Sequence, residues 1–433
     1  MVEHILSLAL RGAEQAEVYS DEGETQSVDF ENNQLKYITT RQHWGVGVRV
    51  IREGRLGFSS TTDMGALDSM VASALESARF GEKARFELPS PSEYPAVKTF
   101  DPAVRNVTIE QAAQMGGEAI ERVLSAYPDV KCGAGIEKAV GRARLTNSCG
   151  LDLTVEATMF SYGIEAFRLR GESFLWSGDG NSARQFRSAL NEAADRTIQL
   201  IRQSETEIAL APGNYTVVFS TRAAHVLLEC LVAAVNGKAV QKGMSPLRGR
   251  IGEGVLGREM TITDDPTVHF ADGSGPWDGE GLPGSPTPLF EAGVLRNYLL
   301  DLQTAGLLGM KPTGNANRSH ASQPRPGASN IIVRGGDTPY ASMLAHGKVI
   351  LVERLLGAGQ SNTLAGEFAG NIDLGFLIEN GTAVGRVKNC MVAGNVYDLF
   401  RRVGAVSRET EWHGALCTPA FLFEALPISS RQG

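Results

Sequence analysis

Apolar and polar positions alternate with two different periods along this chain, and the periods divide it into predicted helices and strands. Apolar residues recur at helical spacing over residues 2–10 and again over residues 66–78. Between them, Val46, Val48 and Val50 alternate strictly with other residues, which is typical of a strand with one buried face. The first part of the chain is therefore predicted to form an antiparallel meander flanked by short helices.

The same two periods continue to about residue 205. Thr108 and Gln111 make a capping box, which predicts a third helix that runs to about Tyr127. Residues 130–167 return to strand-like alternation. Residues 182–203 are predicted to form one long amphipathic helix whose inward positions are Phe186, Leu190, Ala194 and Ile201.

The polar stretch 204–213 is the predicted boundary between two domains. An N-terminal α+β domain is predicted over residues 1–205, and a C-terminal β-rich domain over residues 206–433. The second half is rich in glycine, and its predicted strands cover residues 259–263, 293–300, 331–334, 349–352, 384–392 and 420–426. Because helices and strands do not alternate regularly, the predicted fold class is α+β, with an antiparallel N-terminal sheet and a mostly antiparallel C-terminal sheet or open barrel.

Composition and charge narrow the function classes. The chain has 433 residues, of which 49 are acidic and 41 basic, and its net charge of −8 argues against nucleic acid as a partner. Its five cysteines are widely spaced without a CxxC motif, as expected of reduced thiols. Glu3 stands where a signal peptide has positive charge, and no apolar run reaches the roughly 20 residues of a membrane span. We therefore expect a cytoplasmic protein without a membrane partner.

One segment combines a predicted buried strand, an apolar helix and side chains suited to metal binding. Residues 215–219 predict the strand, Thr221 is the predicted N-cap, and residues 223–235 predict a helix that is apolar almost all round. His225, Glu229 and Cys230 lie in this helix, and all three are zinc-ligand types. Glu229 and Cys230 project about 100° apart, which opposes convergence of all three. Two interpretations stay open, an irregular zinc site and a buried glutamate with a hydrogen-bond partner elsewhere.

Two further patterns have the spacing of a functional site without its context. The glycines of residues 252–257 match GxGxxG, but no strand precedes them and no helix follows, as dinucleotide binding requires. They are predicted to form a loop. Cys417 lies four residues after His413, yet a thiolate–imidazole pair there rests on proximity in sequence alone. A buried cysteine beside a surface histidine is the favoured interpretation.

The segment DGSGPWDGE, residues 272–280, has the spaced acids of a calcium loop. Trp277 and Pro283 stand where an EF-hand needs glycine and a bidentate glutamate. A glycine-rich turn is therefore predicted. Because loops often carry binding residues, Trp277 together with Asp278 and Glu280 is also a candidate for lining a peptide cleft.

Several blocks of the chain occur in an order shared with a known family. The first half contains FENNQLKYITTRQHWGVGVRVIREGRLGFSS. The second half contains YTVVFS before the apolar helix, then DDPTVHFADGSGPWDGEG, LFEAGVLRNYLLDLQTAGLLG, KPTGNANR, SNTLAGEFAG and VKNCMVAGNVYDLF. Over nearly its whole length the chain thus resembles the TldD/PmbA family, whose members are also called modulators of DNA gyrase or microcin-maturation proteases. The resemblance implies an α+β N-terminal domain and a β-rich C-terminal domain, in agreement with the periodicity.

The family contains two kinds of subunit, and the TldD kind ligates zinc through HExxxH on the corresponding helix and a cysteine near the C-terminus. Alignment through the shared Val-Leu-Leu puts the histidine positions on Glu229 and Ala234 and the glutamate position on Cys230. Cys417 lies near the family's cysteine position in a different local setting, and His225 precedes the window. The resemblance therefore implies no catalytic residue and no metal site in this chain, with His225, Glu229 and Cys230 the remaining metal candidates.

The chain resembles the other kind of subunit, TldE (PmbA), which implies no cofactor of its own. The implied partner is a TldD-like catalytic subunit that carries zinc in a heterodimeric peptidase for unfolded or leader-type peptides, with a homodimer as the form in isolation. An extended peptide is expected to bind by β-addition to a sheet edge. The alternatives are a stand-alone metallopeptidase with an irregular site, and a regulatory protein that binds gyrase or toxin components.

Overall fold

The computed structural model describes residues 1–430, and ten α-helices are found within that range. They are α1 (Val2–Ala9), α2 (Leu67–Ser77), α3 (Pro102–Asn106), α4 (Ile109–Ala126), α5 (Leu190–Gln203), α6 (Ala224–Val235), α7 (Gly237–Gln241), α8 (Leu302–Leu308), α9 (Tyr340–Leu344) and α10 (Val396–Arg401). The predicted capping box is present, since the Thr108 hydroxyl accepts from the Gln111 N–H and the Gln111 side chain accepts from the Thr108 N–H. This pair satisfies two donors that a helix start otherwise leaves free.

The first sheet has six antiparallel strands in the order β3-β2-β1-β4-β5-β6. Its strands are β1 (Gln15–Glu31), β2 (Gln34–Arg52), β3 (Arg55–Thr61), β4 (Lys131–Asn147), β5 (Asp152–Arg170) and β6 (Ser173–Ala183). The alternating valines of β2 and residues of α1 and α2 share one small apolar core, which includes Val46, Val48, Ile5 and Met70. The alternation in sequence thus marks the face that the helices cover.

The second sheet has twelve strands. The strands of the second half are β7 (Glu207–Ala209), β8 (Gly213–Phe219), β9 (Ile262–Asp264), β10 (Thr287–Glu291), β11 (Val294–Leu295), β12 (Ala316–Asn317), β13 (Arg325–Pro326), β14 (Ile331–Val333), β15 (Lys348–Leu356), β16 (Glu367–Glu379), β17 (Thr382–Lys388), β18 (Cys390–Asn395), β19 (Ala405–His413) and β20 (Leu416–Ser430). Because β8 pairs with β15, β15 with β16, β16 with β18, β18 with β20 and β20 with β8, five strands close a barrel. The separate hairpin β12–β13 lies outside both sheets.

The two sheets share apolar packing through the helices between them. One core cluster contains residues of α4 and α5 together with side chains of the barrel strands, among them Ile120, Ile201, Leu351 and Phe376. The other large cluster lies on α6, where Leu227 and Leu231 are buried against the barrel strands and the surrounding loops. The helix α6 is thus held inside the second half of the molecule by contacts on most of its sides.

The α+β class and the antiparallel N-terminal sheet with a β-rich C-terminal barrel are confirmed. The predicted helix over residues 182–203 is wrong at its start, because residues 173–183 form β6 and α5 begins only at Leu190. The single strand predicted over residues 384–392 is two strands, since Asn389 adopts a positive φ of 55° between β17 and β18. The domain boundary at residues 205/206 stays a prediction.

No helix within residues 1–430 has both the length and the apolar character needed to span a membrane.

Candidate functional site

The helix α6 carries the predicted metal window, and the structure shows which way each position faces. Glu229 and His225 are exposed, whereas Cys230 is 2% exposed and Ala234 is fully buried. The helix is apolar and buried on most of its faces, as predicted. The interpretation of Glu229 as a buried glutamate is wrong, because Glu229 and His225, four positions apart, form the solvent-facing stripe of α6. Thr221 does not cap α6: the N-cap is Ala223, which has no side-chain capping bond.

The residues of the window do not fit a zinc ion. Ala234 has no donor atom, and the Cys230 thiol lies in an apolar core where its sulfur is 3.7 Å from the Val226 carbonyl oxygen. Burial, with a smaller contribution from Glu229, raises the pKa of Cys230 to about 11, so the metal-binding thiolate form is disfavoured. Across residues 1–430, no three His, Cys, Asp or Glu side chains gather closely enough to hold a metal ion.

The other proposed metal candidate, His225, is held by its own turn. Its Nδ1 lies 2.6 Å from the Arg222 carbonyl oxygen, which fixes Nδ1 as the donor. Cys230 points away from it into the core, so His225, Glu229 and Cys230 are not brought together on one side of α6.

Cys417 and His413 lie on neighbouring strands but do not form a thiolate–imidazole pair. The register of β19 against β20 places Trp412 opposite Cys417 and His413 opposite Leu416. Burial raises the pKa of the Cys417 thiol. Burial, reinforced by Arg222, lowers the pKa of His413 to about 4, so its imidazole is neutral at pH 7. The cysteine is buried as predicted, whereas the histidine is largely buried rather than on the surface.

Residues 252–257 form turns and loop that lead into β9, so the expected loop is found and no helix follows the glycines.

The segment with Trp277, Asp278 and Glu280 forms a tight turn against the first sheet. Asp278 accepts backbone N–H groups from Glu280 and Leu282 at 2.9 Å and from Ala316 at 3.0 Å. Trp277 is half-buried and forms a bridge to Pro283. A cleft-lining role for Trp277, Asp278 and Glu280 stays a prediction. In the structure, Asp278 and Glu280 accept hydrogen bonds from other residues of this chain.

Glu280 belongs to a buried cluster of charges that the sequence patterns did not indicate. Arg49 on β2 donates to Glu280 at 2.8 Å and approaches Glu17 on β1 at 2.9 Å, and Arg318 also binds Glu17. All four side chains are at most 3% exposed. Burial raises the pKa of Glu280, whereas the two guanidinium groups overcome burial and lower the pKa of Glu17.

This cluster, Glu17–Arg49–Glu280–Arg318, joins the first sheet to loops of the second half. Glu280 lies in the DGEG block and Arg318 in the KPTGNANR block, which are nearly forty residues apart in sequence. The signal that could have found it is the presence of isolated charges in otherwise apolar surroundings, since Glu17 and Arg49 lie in strands that otherwise bury apolar side chains.

A cleft of about 800 Å³ lies beside the start of α6, and we call it the α6 cleft. Its walls come from β6, α5, α9, β15, β19 and the loop of residues 220–222 that precedes α6. Ion pairs join the walls, because Arg222 binds Asp179 and Arg196 lies 2.6 Å from Glu353. The Thr221 hydroxyl donates to Glu411 at 2.5 Å. The cleft therefore has a charged lining, which the sequence patterns did not indicate.

Comparison with known proteins places these features in a family. Residues 212–430 match the PmbA/TldA metallopeptidase C-terminal domain, and residues 16–78 match PmbA/TldA metallopeptidase domain 1. An uncharacterized protein of Methanocaldococcus jannaschii is 29% identical over 414 residues, which cover 92% of each chain. The metalloprotease PmbA of Escherichia coli O157:H7 is 23% identical and covers 99% of this chain and 95% of its own.

This chain belongs to the PmbA/TldD metallopeptidase family. Within that family its structure is TldE-like: the crystal structure of TldE from Thermococcus kodakarensis superposes with a TM-score of 0.91 at 21% identity and covers 99% of each chain. The family resemblance expected from the sequence blocks is thus confirmed.

Proposed function

We propose that this chain is the non-catalytic, TldE-type subunit of a two-subunit zinc peptidase that degrades or processes unfolded or leader-type peptides. The observation that carries the proposal is the donor set of α6, in which a methyl group and a buried thiol occupy two of the three window positions. A zinc site needs at least three protein ligands, and this helix provides no imidazole at the window. In this proposal the zinc is bound by a TldD-type partner, and hydrolysis takes place there.

The free edge of β2 supports a role in holding an extended chain. β1 pairs with β2 along nearly its whole length, but β3 covers only residues 46–52 of the other side. Residues 34–44 therefore have no strand neighbour on that side within residues 1–430, and Leu35, Tyr37 and Ile38 are about half exposed there. Such an edge is a template for pairing with another strand, either from a subunit or from an extended peptide.

The proposal is tested by reconstitution with a TldD-type chain from the same organism. We expect the isolated chain to contain no stoichiometric zinc by elemental analysis and to leave an unstructured reporter peptide intact. Addition of the partner is expected to give hydrolysis that a chelator abolishes, and a partner without its HExxxH histidines serves as the control. Chelator-sensitive cleavage by this chain alone would instead establish a stand-alone metallopeptidase.

The β2 edge is tested by two lysines that block strand addition. The double variant Tyr37→Lys and Ile38→Lys is expected to weaken binding of the partner or of an unstructured peptide, because charged edge residues oppose pairing. Phe80→Lys is the control, since Phe80 is 86% exposed and lies outside both sheets. Binding is measured by titration calorimetry. Equal affinities of the two variants would remove β2 from the proposal.

A further inference from the structure

The α6 cleft has an excess of carboxylates over cationic groups. Its lining contains five carboxylates and three guanidinium groups. Each guanidinium already faces an acid, since Arg222 pairs with Asp179, Arg196 with Glu353 and Arg187 with Glu192. The two remaining carboxylates therefore determine which charge the cleft attracts.

Those two carboxylates, Glu409 and Glu411, form no salt bridge with lysine or arginine within residues 1–430. Glu409 accepts the Tyr340 N–H at 2.8 Å, and Glu411 accepts the Thr221 hydroxyl. The His413 imidazole lies 3.6 Å from Glu411 but is neutral at pH 7. Both acids lie on β19 and line the α6 cleft.

One buried polar atom of the cleft walls also lacks a partner. The Nδ1 atom of His413 is buried and has no hydrogen-bond partner among the described residues. Because buried polar atoms in native proteins are nearly always satisfied, this atom indicates a bound polar group.

We propose that the α6 cleft binds an ammonium group of a peptide, either its N-terminal amine or a lysine side chain. An ammonium offers three N–H donors and no acceptor, which matches a set of unneutralised carboxylates. Glu409 and Glu411, the two lining carboxylates without a guanidinium partner, accept these donors. Tyr162 and Trp412 also line the cleft and provide aromatic faces to a cation.

The volume of the cleft fits this occupant. Pockets of roughly 300–1,000 Å³ are usual for small ligands, and about 800 Å³ accommodates a residue or two of a peptide. The cleft begins at the loop before α6, so a peptide end held there lies beside the helix that carries the family's metal window. That the ligand is a peptide rests on the proposed function, whereas its positive charge follows from the lining.

The test is binding of short labelled peptides to the isolated full chain at low ionic strength. Three peptides share one neutral sequence: one has a free N-terminus, one is N-acetylated with a single lysine, and one is N-acetylated without any charge. We expect the first, the second or both to bind more tightly than the third. The pattern identifies the N-terminal amine or the lysine as the recognised group.

The variants Glu409→Gln and Glu411→Gln are expected to weaken binding of the cationic peptide about tenfold each, as loss of a charge-assisted hydrogen bond does. Glu291→Gln, at an exposed acid far along the chain on β10, is the control and keeps full affinity. Because Glu409 and Glu411 are exposed, these changes leave the fold intact, which far-ultraviolet circular dichroism checks.

Equal affinity for all three peptides, or equal affinity of the glutamine variants and wild type, would overturn the inference. Its failure is distinct from failure of the proposed function, which depends on hydrolysis by the reconstituted pair. A chain that binds cationic peptides selectively and yet fails to support hydrolysis would keep the cleft assignment and reject the subunit role.

Discussion

Ala234 holds the position on α6 where the zinc-binding relatives of this family are expected to have a histidine. It is fully buried, and its carbonyl oxygen accepts the Ser245 hydroxyl at 2.6 Å. The neighbouring Ala233 is only half-buried on the same helix. The two alanines therefore separate the effect of packing from the effect of the added imidazole.

We predict that Ala234→His lowers the free energy of unfolding by about 1–3 kcal/mol, because an imidazole overpacks a filled core. Ala233→His is the matched control, with an expected change below about 1 kcal/mol at a half-buried position. Denaturant titration measures both. Equal losses, or zinc uptake by the Ala234 variant, would show that the site around α6 is roomier than described.

A second single residue, Asp264, is expected to make the stability of the protein depend on pH. It is fully buried and accepts hydrogen bonds from the Ser329 N–H and from Asn315, both at 2.6 Å. Burial, which outweighs these hydrogen bonds, raises its pKa from 3.8 to about 6. Between those values the folded state binds more protons than the unfolded state, so the contribution of Asp264 to stability falls as pH rises from 3.8 to about 6.

The variant Asp264→Asn is expected to flatten this part of the stability–pH curve by up to about 3 kcal/mol, since one pKa unit corresponds to about 1.4 kcal/mol. Urea unfolding at a series of pH values measures it. Asp337→Asn, at an exposed aspartate, is the control for the effect of removing one carboxylate on the stability–pH curve. Parallel curves for wild type and Asp264→Asn would contradict the assignment.

Single residues also show what the sequence could and could not predict. The sequence alone shows that the window on α6 lacks a histidine and the glutamate of HExxxH, because Ala234 and Cys230 occupy those positions whatever the structure. The orientation of α6 was not predicted, although His225 and Glu229 four residues apart are the signal of an exposed stripe. The α6 cleft could not be predicted from the sequence, because Glu353, Glu409 and Arg196 come together only through the packing of β15, β19 and α5.

At the scale of elements, long-range pairing overrode a local pattern. Residues 182–189 continue the apolar period of α5, and local periodicity alone therefore extended the helix backwards. In the structure, β6 pairs with β5 from Arg170↔Ser173 to Phe160↔Ala183. A ladder of this length satisfies backbone donors and acceptors that a helix would also satisfy, so the choice depends on a neighbouring strand that periodicity cannot detect.

The Glu17–Arg49–Glu280–Arg318 cluster gives the prediction at this scale. Arg49→Met is expected to cost about 3–5 kcal/mol of stability, because it leaves Glu280 buried without its cation. In the wild-type structure the Leu302 N–H donates to Glu280 Oε2 at 2.7 Å. The double variant Arg49→Met with Glu280→Gln is expected to recover part of the loss, because the glutamine amide oxygen can still accept this N–H. Denaturant titration gives both values.

The control for the cluster is Arg52→Met on the same strand. Arg52 is 38% exposed and lies 3.9 Å from an exposed glutamate, so its loss is expected to change stability by less than about 0.5 kcal/mol. If Arg49→Met and Arg52→Met had similar effects, the buried cluster would make no special contribution to joining the first sheet and the second half.

For the whole molecule, the shared core between the sheets bears on the predicted division at residues 205/206. Residues of α5 such as Leu200 and Ile201 belong to the same apolar cluster as Val218, Leu351 and Phe376 of the barrel. Arg354 of β15 also donates to the Trp176 carbonyl oxygen of β6 at 2.5 Å. The two predicted domains therefore each lack one wall of this core when separated.

We predict that the intact chain unfolds in a single calorimetric transition and that a fragment of residues 1–205 exposes the apolar face of α5. The fragment is expected to bind the dye ANS strongly and to melt without a sharp transition, as a chain with unfilled packing does. A variant of this fragment with Leu200→Lys and Ile201→Lys tests the cause, because both residues belong to the apolar cluster that the barrel strands share in the full chain. Reduced dye binding by that variant supports the argument. Two resolved transitions in the full chain, with a fragment that melts sharply, would establish residues 205/206 as a boundary between independently folding units.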